Sequence, residues 1–180
     1  MTPLNSVSEN ILAHSLEPYV AKNSRYLNTM SATYSPERWV GQGHFSITTS
    51  SYIRDTGHFN AAEFIICFNQ MFYALVAQGI SEAAIPQLAH WNLEEFTQRQ
   101  LPAIVIRNNR SSFTDQLDST SFYGFIEARD ITLVNTRREY LSVSVDISFA
   151  ESVDATKKPA TGHVDIAILL DDLVSKGNAQ

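Results

Sequence analysis

A single cysteine, Cys67, occurs in the 180 residues, so an intrachain disulfide and a cluster of thiolate metal ligands are both excluded. One lone thiol fits a reducing compartment. Basic residues are scarce and scattered: 13 Lys and Arg stand against 19 Asp and Glu, for a formal net charge of −6. Sequence-independent nucleic-acid binding needs a clustered cationic face, and no basic run exists to build one. An anionic substrate must therefore enter through a local cationic patch. The opening segment MTPLNSVSEN is polar, without the basic-then-apolar order of a secretory signal. The longest apolar candidate for a membrane span, Phe59 to Leu75, is broken by Glu63, Asn69 and Gln70. Also missing are internal repeats, a G-x-S-x-G nucleophile elbow and any metal-ligand spacing of His, Cys and carboxylates. These absences point to a soluble, cytoplasmic protein with no metal or cofactor and no nucleic-acid or membrane partner.

What remains is an ordinary globular composition, 44% hydrophobic and 18% charged, long enough for one domain with a real core over residues 1–180. A short helix is expected from Ser8 to Leu16, stopped by Pro18. Trp39 to Tyr52 alternates and is rich in Ser, Thr, Ile and Phe, which reads as a strand. Asp55-Thr56-Gly57 signals a turn, and the long stretch FNAAEFIICFNQMFYALVAQ then reads as a helix ended by Gly79. Asn92, with Glu95 closing a capping box, starts a second helix that runs to Gln100 before Pro102. Strands follow at Ala103 to Asn108, Ser121 to Asn135, Tyr140 to Phe149 and His163 to Leu170, the last two separated by the polar loop SVDATKKPATG.

Apolar residues surround the long helix, as only a helix buried on nearly every side can tolerate. At about 100° per residue, Asn60, Glu63, Cys67 and Gln70 fall on one stripe while Asn69 faces elsewhere. One buried helix followed by a run of antiparallel-type strands implies a sheet curled around that helix, an α+β hot-dog architecture.

The segments LEPYVAKNSRYL, GHFSITTSSYIRDTGHFNAAEFIICFNQ and WNLEEFTQRQL carry a further signal. With them the chain resembles the FcoT-type (type III) fatty acyl-CoA thioesterases and their relatives, the dual-function thioesterases that add glycine to unsaturated acyl thioesters. The resemblance covers most of Leu16 to Phe113 and weakens to a strand pattern beyond. It implies a hot-dog homodimer or higher oligomer with sites at the subunit interface, near the start of the central helix. It also implies an active site of two tyrosines and two asparagines, which fall here on Tyr19, Tyr52, Asn60 and Asn69.

The residues themselves suggest a chemistry. Free N–H groups and the positive dipole end of the long helix make an oxyanion site for a thioester carbonyl, with Gly57 admitting a close approach. Glu63, about one turn in, is the expected general base, since a desolvated carboxylate has a raised pKa. His58 is a second acid/base candidate or a donor to the enolate oxygen; elsewhere such a residue is often only a cap. Asn60 and Asn69 suit a carbonyl or a water, and Tyr19 and Tyr52 suit hydrogen-bond donation, although packing explains each one taken alone. Cys67 reads as a buried inert thiol, and His14, His44, His90 and His163 as structural or surface residues. Lys22, Arg25, Arg54 and Arg107 are candidates for the carboxylate of glycine or for substrate phosphates.

Four readings compete. The leading one has glycine's amine attack C3 of a (2E)-enoyl thioester on an acyl carrier protein or CoA, followed by hydrolysis to a 3-(carboxymethylamino) acid. By resemblance, such products feed β-amino-acid starters of macrolactams or isonitrile lipopeptides. The others are a plain acyl-thioester hydrolase, a dehydratase of fatty-acid synthesis, and a non-catalytic acyl-binding protein on the same fold. Glu63 follows His58 by only five residues, which disfavours the dehydratase.

Overall fold

The computed structural model describes residues 3–54 and 56–170; Asp55, part of the expected turn, lies outside them. The chain opens with β1 (Asn5–Ser6), α1 (Glu9–Ser15) and α2 (Glu17–Val20), then the hairpin β2 (Leu27–Ser35) and β3 (Arg38–Phe45). The central helix α3 (Ala61–Ser81) follows, then α4 (Leu93–Ala103) and strands β4 (Ile104–Phe113), β5 (Phe122–Asn135), β6 (Glu139–Ala150) and β7 (Ala160–Leu169). All seven strands form one antiparallel sheet in the order β1-β2-β3-β5-β6-β7-β4, with β1 and β4 at its edges.

Helix α1, expected from Ser8, begins at Glu9 and is capped by Ser8, whose hydroxyl accepts the Ile11 N–H. The Asn92–Glu95 capping box is present, but α4 runs to Ala103 and takes Pro102 into its last turn. The expected strand to Tyr52 stops instead at Phe45. Beyond it the chain changes partners, Ser46 N–H going to the Tyr26 carbonyl and Ile47 N–H to that of Ser119. After Ile47 no apolar residue follows until Tyr52 to continue an inward-facing alternation. Strand β2 escapes sequence reading because a bulge between Leu27 and Thr29 breaks its period, leaving its inward residues Leu27 and Met30 three apart.

Gly79 does not end α3. It is buried inside the helix, where a Cβ would lie 2.5 Å from Ile85 Cδ1 and 3.0 Å from the Tyr34 ring. The helix ends at Ser81 and is closed two residues later by Ala83, which takes φ of 51° while the Ala84 N–H returns to the Gly79 carbonyl. Such a left-handed closing position suits glycine, and alanine there carries backbone strain. Ala83→Gly should therefore stabilise the protein by about 0.5–1 kcal/mol, read as a rise in urea midpoint at unchanged slope.

The core lies between α3 and the sheet's inner face. By length and composition α3 could cross a membrane, yet 72% of its most apolar window is buried in this fold. Six phenylalanines, Phe45, Phe59, Phe64, Phe113, Phe122 and Phe149, interlock at its N-terminal end with ring centroids 4.8–6.5 Å apart. On the sheet side, added Cβ atoms at Gly124 and Gly162 would meet Met71 Sδ at 2.6 Å and the Phe64 ring at 2.5 Å. Side chains of the helix therefore rest directly on the sheet backbone at these points.

Candidate active site

The tip of α3 is built around Asn60. As N-cap residue it has extended backbone angles, and its Oδ1 accepts three hydrogen bonds. These come from the N–H groups of Ala62 (2.9 Å) and Glu63 (3.3 Å) and from the Tyr52 hydroxyl (2.7 Å). Glu63 Oε2 in turn accepts the Asn60 N–H at 3.2 Å, completing a capping box. Three donors on one oxygen fix the amide's orientation and leave Asn60 Nδ2 without a partner among the described residues. The Ala61 N–H, the first of the helix, is likewise without an acceptor there. Where the sequence reading expects an oxyanion site, the helix tip thus presents two donors without acceptors among the described residues, one side-chain and one backbone.

These donors border an open pocket of ≈ 480 Å³, walled by His58 to Ala61 on one side and by Phe113 to Gln116 on the other. The second wall is absent from the sequence reading, because it comes from the distant end of β4 and nothing local marks it. His58 is half-buried, and its Nδ1 lies 3.1 Å from the Thr56 carbonyl. A carbonyl can only accept, so Nδ1 carries the proton and the lone pair of the neutral ring sits on Nε2. Gly57 has φ of +75° with open space around its Cα, so the left-handed turn, rather than a close neighbour, requires glycine.

Glu63 is 1% exposed and is not on the pocket wall. Its carboxylate has a structural task, closing the cap, and reaches the tip through Asn60. Glu63→Gln preserves that geometry and should leave the melting temperature nearly unchanged, whereas Glu63→Ala strands a half-buried N–H and should cost about 1–3 kcal/mol. Parallel thermal melts of the two variants check this.

The stripe expected from helical spacing is present: Cys67 and Gln70 are both fully buried beneath Glu63. Burial pushes the Cys67 thiol well above its ordinary range, with the Glu63 charge adding, which is the profile of an inert thiol. At Tyr52, desolvation of the inward-turned hydroxyl raises the phenol; the Asn60 hydrogen bond opposes this and the Glu63 charge reinforces it.

The four resembled positions do not meet within one chain. Tyr52 and Asn60 are bonded at the tip. Asn69 lies nine residues further on, about 13 Å along the helix and half a turn around it. Tyr19 packs on Tyr73, ring centroids 6.4 Å apart, and its phenol is raised by burial, with Tyr73 and Cys67 adding. Among the cationic candidates, Arg25 is paired with Glu9 at 2.7 Å. Arg107 stacks over Tyr140 at 5.7 Å, six residues up β4 from the pocket wall. Lys22 sits in the exposed turn after α2. Arg54, exposed on the segment joining Tyr52 to His58, is the cation nearest the tip in sequence.

A larger groove of ≈ 740 Å³ crosses the outer face of the sheet over Val40, Phe125 and Ser148, and contains none of the expected site residues. His163 lies on the same face, bonded to Asp146 at 2.8 Å and Asp165 at 3.2 Å, a structural setting as expected. Among the described residues no group of His, Cys, Asp or Glu is arranged to hold a metal ion.

A long helix enfolded by a curved antiparallel sheet, with its capped tip open to a pocket, defines the hot-dog class. The FcoT-like thioesterase domain matches residues 14–168, and the chain belongs to that family. Its relatives include a (2E)-enoyl-[ACP] glycyltransferase of Mycobacterium marinum, 37% identical over 91% of this chain and 88% of the relative. The protein of that name in Mycobacterium tuberculosis H37Rv is 34% identical over 91% and 87%. The one in Streptomyces coeruleorubidus is 37% identical over 69% and 74%. Among solved structures, a mutant thioesterase of Pseudomonas aeruginosa superposes with a TM-score of 0.46 at 13% identity, over 94% of this chain and 97% of that one.

Proposed function

We propose that this enzyme adds glycine across the double bond of a (2E)-enoyl thioester on an acyl carrier protein and then hydrolyses the thioester. The observation that carries the reading is the pair of donors, Asn60 Nδ2 and Ala61 N–H, that open on a pocket beside Nε2 of His58, all three without a partner among the described residues. The printed activity of the curated relatives supports the choice of an enoyl thioester over a saturated one.

In the first step glycine's amine forms a bond to C3 and the C2–C3 π electrons move onto the thioester oxygen. That oxyanion is held by the two donors, which act where charge develops. His58 takes the proton from the new ammonium and returns it to C2, so N–H is added across the alkene with no net change of charge. In the second step water adds to the carbonyl at the same tip and the thiol leaves. Arg54 is the cation we assign to glycine's carboxylate, in bidentate geometry. Glu63 holds Asn60 in place instead of taking the proton itself. Asn69 and Tyr19 are assigned to a second copy of the chain, which would add at the free edge of β4, where Val105 is 42% and Phe113 39% exposed.

Mass spectrometry of protein incubated with crotonyl and longer enoyl thioesters, with and without glycine, tests this. The expected product is the 3-(carboxymethylamino) acid, formed only with glycine. Release of free enoic acid without adduct would overturn the addition step and leave a plain thioester hydrolase.

A further inference from the structure

We infer that Tyr26 is a positioning residue of this reaction, one that holds Tyr52 against the helix tip without touching substrate; the inference rests on the proposed function. The segment between β3 and α3 carries Tyr52, Arg54 and His58, and its described residues form neither helix nor strand. Its ends are fastened by main-chain bonds: Ser46 and Ile47 at one end, and Phe59 to the Leu117 carbonyl at the other. Midway, the Tyr26 hydroxyl donates to Ser51 Oγ and accepts the Ser51 N–H, both at 3.1 Å. Ser51 is the residue immediately before Tyr52, so this clasp sets where the Tyr52 ring departs from the chain.

Tyr26 can serve as a fixed post because it is anchored at its own base. It is 3% exposed, and its N–H and that of Leu27 both donate to Gln70 Oε1 at 2.9 Å. Gln70 Nε2 donates to the Ser24 carbonyl at 2.7 Å, so the buried amide is satisfied at both ends. Gln70 and Asn60 belong to the same helix and its cap. The Tyr52 hydroxyl is therefore referenced to one rigid body twice, directly through Asn60 and indirectly through Gln70, Tyr26 and Ser51. Both the donor and an acceptor site of the Tyr26 hydroxyl are occupied by Ser51, which leaves that oxygen a positional role.

The test is Tyr26→Phe, which removes one oxygen and keeps the packed ring, together with Ser51→Ala, Tyr52→Phe and the double variant Tyr26→Phe/Tyr52→Phe. Displacing Tyr52, and with it the Asn60 amide to which it donates, by about an ångström costs up to 10²-fold, so Tyr26→Phe is expected to lower kcat/KM for adduct formation about tenfold. Ser51→Ala, at an exposed position, removes only the acceptor of the Tyr26 hydroxyl and should reproduce part of that loss. The double variant should be no slower than Tyr52→Phe alone, because the clasp acts only through Tyr52. A purely structural role for Tyr26 predicts multiplied losses and a lowered melting temperature instead. Independently of turnover, 19F NMR of protein labelled with 3-fluorotyrosine should show the Tyr52 line, assigned by its loss in Tyr52→Phe, moving toward free tyrosine in Tyr26→Phe. An unmoved Tyr52 line, or losses that multiply in the double variant, overturns the inference. Wild-type protein that forms no adduct overturns the proposed function, while the 19F result still decides the clasp.

Discussion

Asn60→Asp should leave the protein folded and remove most of the proposed glycine addition. Asparagine and aspartate cap helices about equally well, and a negative charge at a helix N-terminus is favourable. The Glu63 carboxylate bonded to the Asn60 N–H works against the new charge, so the net stability change should stay within about 1 kcal/mol. Tyr52 and the N–H groups of Ala62 and Glu63 all donate, and a carboxylate oxygen receives them as the amide oxygen does. What disappears is the Nδ2 donor, and losing one such donor typically costs 10²–10³ in turnover. Asn60→Ala loses the cap as well, so it should show the same kinetic defect plus about 1 kcal/mol of destabilisation. Thermal melts alongside initial rates with an enoyl thioester and glycine separate the two effects. Turnover of Asn60→Asp within a few-fold of wild type would remove the amide from the oxyanion site.

Phe64→Ala should be the most destabilising single truncation near the tip. The ring is fully buried, packs against Phe59, Phe113 and Phe149 at 5.2–6.3 Å, and seats against Gly162, whose missing Cβ makes room for it. Removing a core phenylalanine costs about 3–5 kcal/mol, transfer and cavity terms together. For a domain of this size that corresponds to a fall in melting temperature of about 10 °C, measurable by calorimetry. The space cannot be filled by a side chain at Gly162, where an added Cβ would lie 2.8 Å from the Arg110 carbonyl. A loss below about 1 kcal/mol would mean that the aromatic cluster collapses more readily than its interlocked rings suggest.

Sequence reading recovered the elements whose signals are local. The all-round apolar helix, its buried polar stripe and the β5, β6 and β7 strands are periodicities that the fold obeys. It failed where tertiary contacts override them. Gly79 reads as a stop, but Ile85 and Tyr34 press against its bare Cα and the helix continues. The bulge in β2 erased the alternation that would have revealed that strand. At the site, Asn60 and Glu63 have the same spacing as Asn92 and Glu95, which the sequence analysis took as a capping box. The first pair was read for chemistry because its acid lies in an apolar helix, yet the local rule applied equally to both. Tyr26 and the Phe113 to Gln116 wall had no local signal at all, since each acts across a gap of more than twenty residues.

The bare glycines under α3 also bear on how this enzyme would measure its substrate. Where Gly124 meets Met71 and Gly162 meets Phe64, the layer between helix and sheet has no room even for a methyl group. A hydrocarbon tail entering at the capped tip cannot thread inward past those points, and is left the outward side of α3, where Ala62, Ile65, Ile66 and Asn69 are only half-buried. The ruler for tail length is then that outer strip and whatever covers it, so changes in preference between short and long chains should trace to residues there while the packed interior stays the same.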